Sequence, residues 1–273
     1  MTFAKELKGG LFPITLEITP PKTSKVSVLL RRASLLGDTA SGINIINRNG
    51  RQPSLAAAIE LQKKHLEPIW HLTVGGKTQE AIRSEIKDAK TAGLQNVLCL
   101  LGDSSSKGEL KVHEVTKLLK QQLAPSLIAA AYDQYHDTKN KYANLKKKIA
   151  QGATCIWTQP VLESKRLQVE VEKLKEAHPE ASIVAMAMPL IQEAQLKQIT
   201  ARLQIPEQPA LEKQIRAGED EAWDAFNETV LHLVMNPYID GLAIMTFETD
   251  PHPNIGKRIK NSLKTAKASL PRS

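Results

Sequence analysis

One carboxyl group stands inside an otherwise apolar run near the start of the 273-residue chain. Glu17 lies in the segment Ile14-Thr15-Leu16-Glu17-Ile18, which has the length and composition of a buried strand. Burial of an unpaired carboxylate costs free energy, so such a position favours the protonated form and raises the pKa. A carboxyl group with a raised pKa can donate a proton near neutral pH. Glu17 is therefore the first candidate for a general acid.

Further polar side chains follow later apolar runs. Asp103 comes directly after a glycine at the end of one run, a position that is also typical of a simple turn or a helix N-cap. His71 is embedded in an apolar run. It could equally be a core histidine whose hydrogen bonds are formed within the fold. Gln159 follows another run, where its amide suits the edge of a heterocycle or a backbone group. Tyr132 and His136 are four residues apart, so they face one side if the segment between them is helical.

Metal, disulfide and hydrolytic triad chemistry find no support in the sequence. The seven histidines show no metal-ligand spacing, and the cysteines Cys99 and Cys155 are far apart in the chain. No motif typical of a serine nucleophile is present. The sequence therefore predicts no metal site and no disulfide framework, which favours a reducing, cytoplasmic setting.

The net charge of +8 invites comparison with nucleic-acid-binding proteins. Aromatic residues make up only 4% of the chain, and no stacking motif, zinc finger or recognition helix is found among them. A solvated basic face is the simpler interpretation, and it also suits an anionic substrate or a phosphate-bearing cofactor. No apolar run approaches the roughly 18–20 residues of a membrane span, and the charged first residues do not resemble a signal peptide. We expect no nucleic-acid partner and no membrane partner.

Eight short apolar runs must position the polar residues. Several are continuously apolar, which is typical of strands covered on both faces. The runs are Phe12–Ile18, Gly42–Ile46, Pro68–Thr73, Asn96–Leu101, Ser126–Ala131, Cys155–Thr158, Ser182–Met188 and Gly241–Phe247.

Helical patterns alternate with these runs, and 206–235 reads as one or two extra helices. The patterns are Ser24–Leu36, Leu55–Lys64, Thr78–Ala92, Asp137–Ala150, Ser164–Ala177, Glu193–Leu203 and Asn254–Ala266. The alternation predicts an α/β protein, a single-domain (β/α)8 TIM barrel over 1–273. A doubly wound sheet would favour a glycine-rich turn after the first strand, but Thr19-Pro20-Pro21-Lys22 has no glycine. In a barrel there are no edge strands to expose Glu17, and polar residues at the carboxyl ends of strands meet at one mouth.

The strand ends taken together resemble the methylenetetrahydrofolate reductase family. No single motif is specific, but seven occur in the family's order. The matching segments are Leu16-Glu17-Ile18-Thr19-Pro20-Pro21-Lys22-Thr23, Gly42–Asn47, His71-Leu72-Thr73, Gly93–Asp103, Ala130–His136 with Lys148, Gly152-Ala153 with Thr158-Gln159-Pro160, and Gly241–Phe247.

This resemblance implies that NAD(P)H reduces FAD, and that 5,10-methylenetetrahydrofolate takes the hydride to become the 5-methyl form. By position, Glu17 would be the general acid that helps to open the methylene bridge. Asp103 would be a second catalytic residue, which contacts the substrate and tunes the charge near the pterin and the flavin ring, and Gln159 would bind the pterin. The residues implied in cofactor binding are Tyr132, His136, Lys148, His71 and Asn47.

The chain departs from the family at several flavin contacts. Ile46 stands where the family usually has a threonine, and Leu101 where an arginine usually precedes the Gly-Asp turn. These departures motivate two alternatives: a folate reductase that takes hydride directly from the nicotinamide, and a non-catalytic pterin-binding relative or accessory subunit. The sequence leaves a homo-oligomer open.

Overall fold

Eight parallel strands form a closed barrel in the computed structural model, which describes residues 2–102, 108–136 and 140–270. The strands are β1 Ile14–Ile18, β2 Gly42–Ile45, β3 Pro68–Thr73, β4 Asn96–Leu100, β5 Leu127–Tyr132, β6 Cys155–Pro160, β7 Ser182–Ala187 and β8 Gly241–Met245. Each strand pairs with the next, and β1 closes the barrel by pairing with β8. The predicted single-domain (β/α)8 barrel is confirmed.

Helices connect the strands and surround the barrel. They are α1 Phe3–Lys8, α2 Val26–Ala33, α3 Ser54–Lys63, α4 Gln79–Thr91, α5 Val112–Leu118, α6 Lys141–Ala150, α7 Ser164–Ala177, α8 Glu193–Leu203, α9 Pro209–Ala217, α10 Glu219–Met235 and α11 Pro253–Ala268. The sequence patterns did not predict α1 and α5. With six residues, α1 is too short to show a helical period, whereas α5 continues directly into a π-helical segment over Leu119–Leu123, whose wider turn departs from the 3.6-residue period.

The helix ends follow local chemistry. Thr78 accepts a hydrogen bond from the Ala81 amide at 3.2 Å and so begins α4. Gly93 follows the end of this helix with a φ of 75°, which other residues adopt only with strain. These two residues explain why the limits predicted for this helix agree with the structure.

Side chains alternate between the two faces of the barrel wall. Leu16, Trp70 and Ile244 point outward into the core beneath the helices. Their neighbours Glu17 and His71 point inward, where they line a cavity. Because the alternation has a period of two residues, the position of one side chain in a strand decides the face of its neighbours.

The amino-terminal end of the barrel is closed by α1. Its residues Phe3, Ala4 and Leu7 are buried in one cluster with inward-facing residues of the strands. Phe3 contacts Trp157 of β6, with ring centroids 6.0 Å apart. The barrel interior is therefore packed at this end, and its cavity lies at the opposite end.

The segment after β7 carries three helices instead of one. Both α9 and α10 lie in the region where the sequence predicts extra helices. Of these, α10 packs against β7 and β8, as a barrel helix does. By contrast, α8 places Ile199, Arg202 and Leu203 along the cavity at the barrel mouth.

Candidate active site

A cavity of about 510 Å³ lies at the carboxyl ends of the strands, within the roughly 300–1,000 Å³ typical of small-molecule sites. Its polar lining residues are Glu17, Asn47, His71, Thr73, Thr158, Gln159 and Arg202. Its apolar lining residues include Ile46, Leu98, Leu100, Trp157, Met186 and Met245. A mostly apolar wall with a few convergent polar groups suits a flat heterocycle whose edges form hydrogen bonds.

Glu17 is only 8% exposed, and it reaches the cavity from β1. Burial raises the pKa of its carboxyl group to about 7, while the positive charge of Arg202 acts in the opposite direction. Desolvation is the larger effect because burial removes the water that would stabilise the carboxylate. Glu17 therefore holds its proton in a substantial part of the molecules at neutral pH.

His71 faces Glu17 from β3. Its Nε2 atom is 4.0 Å from Oε2 of Glu17, which is beyond hydrogen-bond distance. Burial lowers the pKa of His71 to about 3, so the imidazole is neutral at pH 7 and the two residues form no ion pair. Nε2 is buried and has no hydrogen-bond partner among the described residues. A buried polar atom of this kind, aimed into a cavity, indicates a bound ligand or water.

Two amide side chains lie at the same mouth. Asn47 follows β2, and its Nδ2 donates to Oγ1 of Thr73 at 2.6 Å. Gln159 in β6 has its backbone fixed by Gln134, which accepts from its N–H at 3.0 Å and donates to its carbonyl at 2.9 Å. Gln159 thus presents its side-chain amide to the cavity from a fixed backbone, as the sequence expectation of a heterocycle contact requires.

Tyr132 lies on the outer face of the barrel wall. Its hydroxyl donates to Glu170 of α7, which also accepts from Tyr142 at 3.0 Å and pairs with Lys141 at 2.9 Å. The strand period explains the placement, because Ala131 lines the cavity and the next residue must point outward.

Lys148 and His136 also lie outside the cavity lining. The Lys148 ammonium group donates to the Ala131 carbonyl at 3.0 Å, and burial lowers its pKa. Nδ1 of His136 lies 2.6 Å from a carboxylate oxygen of Asp133. The structure therefore brings Glu17, Asn47, His71 and Gln159 together, but it does not bring Tyr132, His136 or Lys148 to them. Asp103 lies outside the described residues.

Sequence reasoning missed Arg202, the cation of the cavity lining. It stands in the last turn of α8, a helix whose pattern resembles that of any outer barrel helix. A basic residue on a helix usually faces water, so neither its type nor its spacing distinguishes it. One sequence feature could have pointed to Arg202, namely the extra helical region 206–235. A second helix there can cover the outside of the barrel, and α8 can then lie over the mouth.

The lining fits the ring of a flavin or of a pterin. The orphaned Nε2 of His71 and the amides of Asn47 and Gln159 supply hydrogen-bonding groups around an apolar wall. The diphosphate of a flavin dinucleotide fits less well. Lys148 and Tyr132, which the family resemblance assigns to the flavin, are engaged with Ala131 and Glu170, and Leu101 at the end of β4 is a 59% exposed apolar side chain.

Two features are absent from the described ranges 2–102, 108–136 and 140–270. They contain no cluster of three or more histidine, cysteine, aspartate or glutamate residues able to hold a metal ion. Among the helices that they include, none combines the length and apolar character of a transmembrane span.

Similarity to known proteins adds to this geometry. A solved structure from Clostridium thermocellum, described as an uncharacterized protein that binds two copies of 5-methyl-5,6,7,8-tetrahydrofolic acid, matches with a TM-score of 0.71 and 16% sequence identity. The match covers 97% of each chain, so the two proteins share their fold.

A curated relative and a family model give the sequence side of the comparison. The 5,10-methylenetetrahydrofolate reductase of Buchnera aphidicola subsp. Baizongia pistaciae is 31% identical over 101 residues, which is 34% of this chain and 34% of that protein. The matched segment thus spans about a third of each. The family model for methylenetetrahydrofolate reductase matches residues 2–248, nearly the whole barrel. The chain therefore belongs to the methylenetetrahydrofolate reductase family.

Proposed function

We propose that this chain binds a reduced folate at the barrel mouth and reduces 5,10-methylenetetrahydrofolate, or a related one-carbon pterin, to its 5-methyl form. The observation that carries the proposal is Glu17. It is a buried carboxyl group with its pKa raised to about 7, in a ligand-sized cavity of a chain that belongs to this family.

Glu17 acts as a general acid in this proposal. The methylene group of the substrate bridges two nitrogen atoms, and opening the bridge breaks one carbon–nitrogen bond. The protonated Glu17 gives its proton to the nitrogen that leaves, and the carbon that stays becomes an iminium ion. Addition of a hydride to this carbon completes the methyl group. A carboxyl group with a pKa near 7 is suited to the step because it is protonated at working pH and still acidic enough to transfer its proton.

The other polar groups of the cavity bind and orient the pterin. The Gln159 amide has both a donor and an acceptor for the edge of a pterin. His71 is uncharged, so it can form a hydrogen bond with the ligand without placing a second positive charge beside the developing iminium ion. The Asn47–Thr73 pair holds the neighbouring wall in place.

Membership of the family supports NAD(P)H as the source of the hydride and FAD as its carrier. A flavin accepts a hydride from a reduced nicotinamide and passes it on. The engagement of Tyr132 and Lys148 favours a second candidate, in which the chain holds the folate without a flavin. The nicotinamide then donates directly, or the folate is bound without reduction.

The absorption spectrum of the purified protein, followed by titration with FAD, separates these candidates. Flavin bands or uptake of added FAD support the flavin-dependent reductase. A colourless protein that ignores FAD but oxidises NAD(P)H when methylenetetrahydrofolate is added indicates direct transfer. Folate binding without turnover indicates a binding protein, and absence of folate binding contradicts the proposed function.

Substitution of Glu17 tests its role as the general acid. We expect Glu17→Gln to lower the rate of folate-dependent NAD(P)H oxidation by roughly 10²–10⁴-fold, the usual contribution of a general acid, because an amide cannot donate the proton. The matched control is Glu176→Gln, which changes an exposed carboxyl group on α7. Full activity in Glu17→Gln removes this residue from the mechanism.

A further inference from the structure

A second, smaller cavity opens beside Glu17. Its volume is about 50 Å³, and it shares Glu17, Ile46, Arg202 and Met245 with the main cavity. Three arginines from separate parts of the fold line it. They are Arg32 of α2, Arg48 after β2 and Arg202 of α8, and we call this space the arginine annex.

Arg32 carries a donor that the fold does not use. Its side chain is 9% exposed, and its Nη1 donates to the Thr19 carbonyl at 2.8 Å. Its Nε is buried, lies 3.9 Å from a carboxylate oxygen of Asp250 and has no hydrogen-bond partner among the described residues. A buried charged donor without an acceptor costs free energy, so this atom indicates an acceptor supplied from outside the chain.

The charges around the annex favour an anion. Asp250 is shared between Arg31 and Arg32, and Arg51 also acts on Arg32. Arg48 and Arg202 have no ion-pair partner among the described residues. Glu248 is the opposing carboxylate in the lining, where it accepts from Gln195 at 3.5 Å. Arginine side chains thus outnumber the carboxylates in this lining even when Glu17 is ionised.

We propose that the arginine annex binds the anionic end of the ligand whose ring occupies the main cavity, and that Arg202 couples this binding to the protonation of Glu17. The proposal rests on the proposed function, in which the anionic end is the glutamyl tail of a folate. The annex has room for a carboxylate on a thin chain but not for a second ring. Arginine is the side chain best suited to hold a carboxylate through paired hydrogen bonds.

The coupling follows from the position of Arg202 between the two spaces. Its positive charge stabilises the ionised form of Glu17 and lowers its pKa. A carboxylate bound to Arg202 offsets this charge, so Glu17 keeps its proton to a higher pH when the tail is in place. The other charged or titratable groups that line these spaces are Arg32, Arg48, Glu248 and the neutral His71. None of them lies in both cavities, as Arg202 does.

Binding of two matched ligands tests the annex. We expect calorimetry at low salt to show 5-methyltetrahydrofolate binding about tenfold more tightly than its glutamate diamide, which has the same rings and chain length but two neutral amides in place of the carboxylates. The difference should disappear in Arg48→Gln and in Arg202→Gln. It should persist in Arg83→Gln, the control at an exposed arginine on α4. Arg32 is left unchanged because it also holds Thr19.

Carbon-13 NMR of glutamate carboxyl groups tests the coupling without requiring turnover. The signal of the Glu17 carboxyl group is identified by its absence from the spectrum of Glu17→Gln. We expect Glu17 to titrate at a higher pH with bound 5-methyltetrahydrofolate than with its bound glutamate diamide, and Arg202→Gln to remove the difference. Equal titration curves overturn the coupling.

Three outcomes overturn the annex. Equal affinity for the two ligands overturns this inference alone, whereas failure of both to bind overturns the proposed function as well. If Arg48→Gln weakens the binding of NADPH or inorganic phosphate and leaves the two pterins unchanged, the anion is a nucleotide phosphate and the assignment to a folate tail is wrong.

Discussion

At the scale of the residue, the site is defined by two side chains that burial drives toward their neutral forms. Glu17 and His71 face each other from β1 and β3 at 4.0 Å. Burial raises the pKa of the carboxyl group and lowers that of the imidazole, so an acid beside a base does not become an ion pair. The pair is suited to donate one proton and one hydrogen bond to an uncharged ring, and it is poorly suited to bind an anion.

The buried carboxyl group makes stability depend on pH. The folded state holds the Glu17 proton up to about pH 7, whereas the unfolded chain releases it near its ordinary pKa of 4.5. The folded state therefore loses stability as the pH rises from 4.5 to 7. The shift corresponds to about 3 kcal/mol at roughly 1.4 kcal/mol per pH unit.

We expect Glu17→Gln to be more stable than the natural chain above pH 8 and to lose this advantage at pH 4. Urea denaturation at both pH values measures the difference. A constant difference in the free energy of unfolding at the two pH values would contradict the assigned pKa.

At the scale of the element, the end of β4 controls the wall that carries Asn47. Gly102 follows this strand with a φ of 83°, and a Cβ atom there would lie 3.0 Å from the Thr73 side chain. Thr73 in turn accepts the hydrogen bond of Asn47. The absence of a side chain at position 102 therefore lets three strand ends approach each other at the cavity.

Gly102→Ala should lower both stability and ligand affinity. The left-handed backbone conformation alone costs roughly 1–2 kcal/mol with a Cβ atom present, and the contact with Thr73 displaces the Asn47 pair. The matched variant is Gly93→Ala, which has a φ of 75° but no atom within 4 Å of the added Cβ. We expect similar losses in melting temperature and a loss of folate affinity only in Gly102→Ala. Unchanged affinity in both variants would show that the Thr73 contact does not shape the site.

At the scale of the whole molecule, the barrel is closed by α1 at one end and carries the candidate site at the other. Phe3, Ala4 and Leu7 fill the amino-terminal end, and Trp157 connects this plug with the floor of the cavity. Polar and charged groups collect at the opposite mouth. This separation lets the two ends be changed independently.

Phe3→Ala should destabilise the fold without abolishing the site. Phe3 is fully buried, and removal of such a ring costs about 3–5 kcal/mol. We expect a marked fall in melting temperature, with folate affinity retained at temperatures where the protein is folded. The control is Leu11→Ala, because Leu11 is 55% exposed and should change stability little. Loss of affinity in folded Phe3→Ala would show that the plug positions the cavity through Trp157.

Much of the fold and part of the site could be predicted from local sequence. Continuous apolar runs separated by helical patterns indicate the barrel, since strands buried on both faces have no polar side to show. Strand ends then bring Glu17, Asn47, His71 and Gln159 to one mouth. The two-residue period of β5 also places Tyr132 opposite the inward-facing Ala131, although the family resemblance alone assigns it to the cofactor.

The remaining features depend on contacts between distant segments. Arg202 belongs to the site because α10 covers β7 and β8 and leaves α8 to lie over the mouth. Lys148 is engaged because the end of β5 offers it the Ala131 carbonyl. The arginine annex joins residues 32, 48 and 202, and no local pattern relates them. Local sequence thus determines which residues are buried and which strand ends meet, because period and apolarity act over a few residues. The partners of long charged side chains are decided by tertiary structure, because their reach extends across elements that are far apart in the chain.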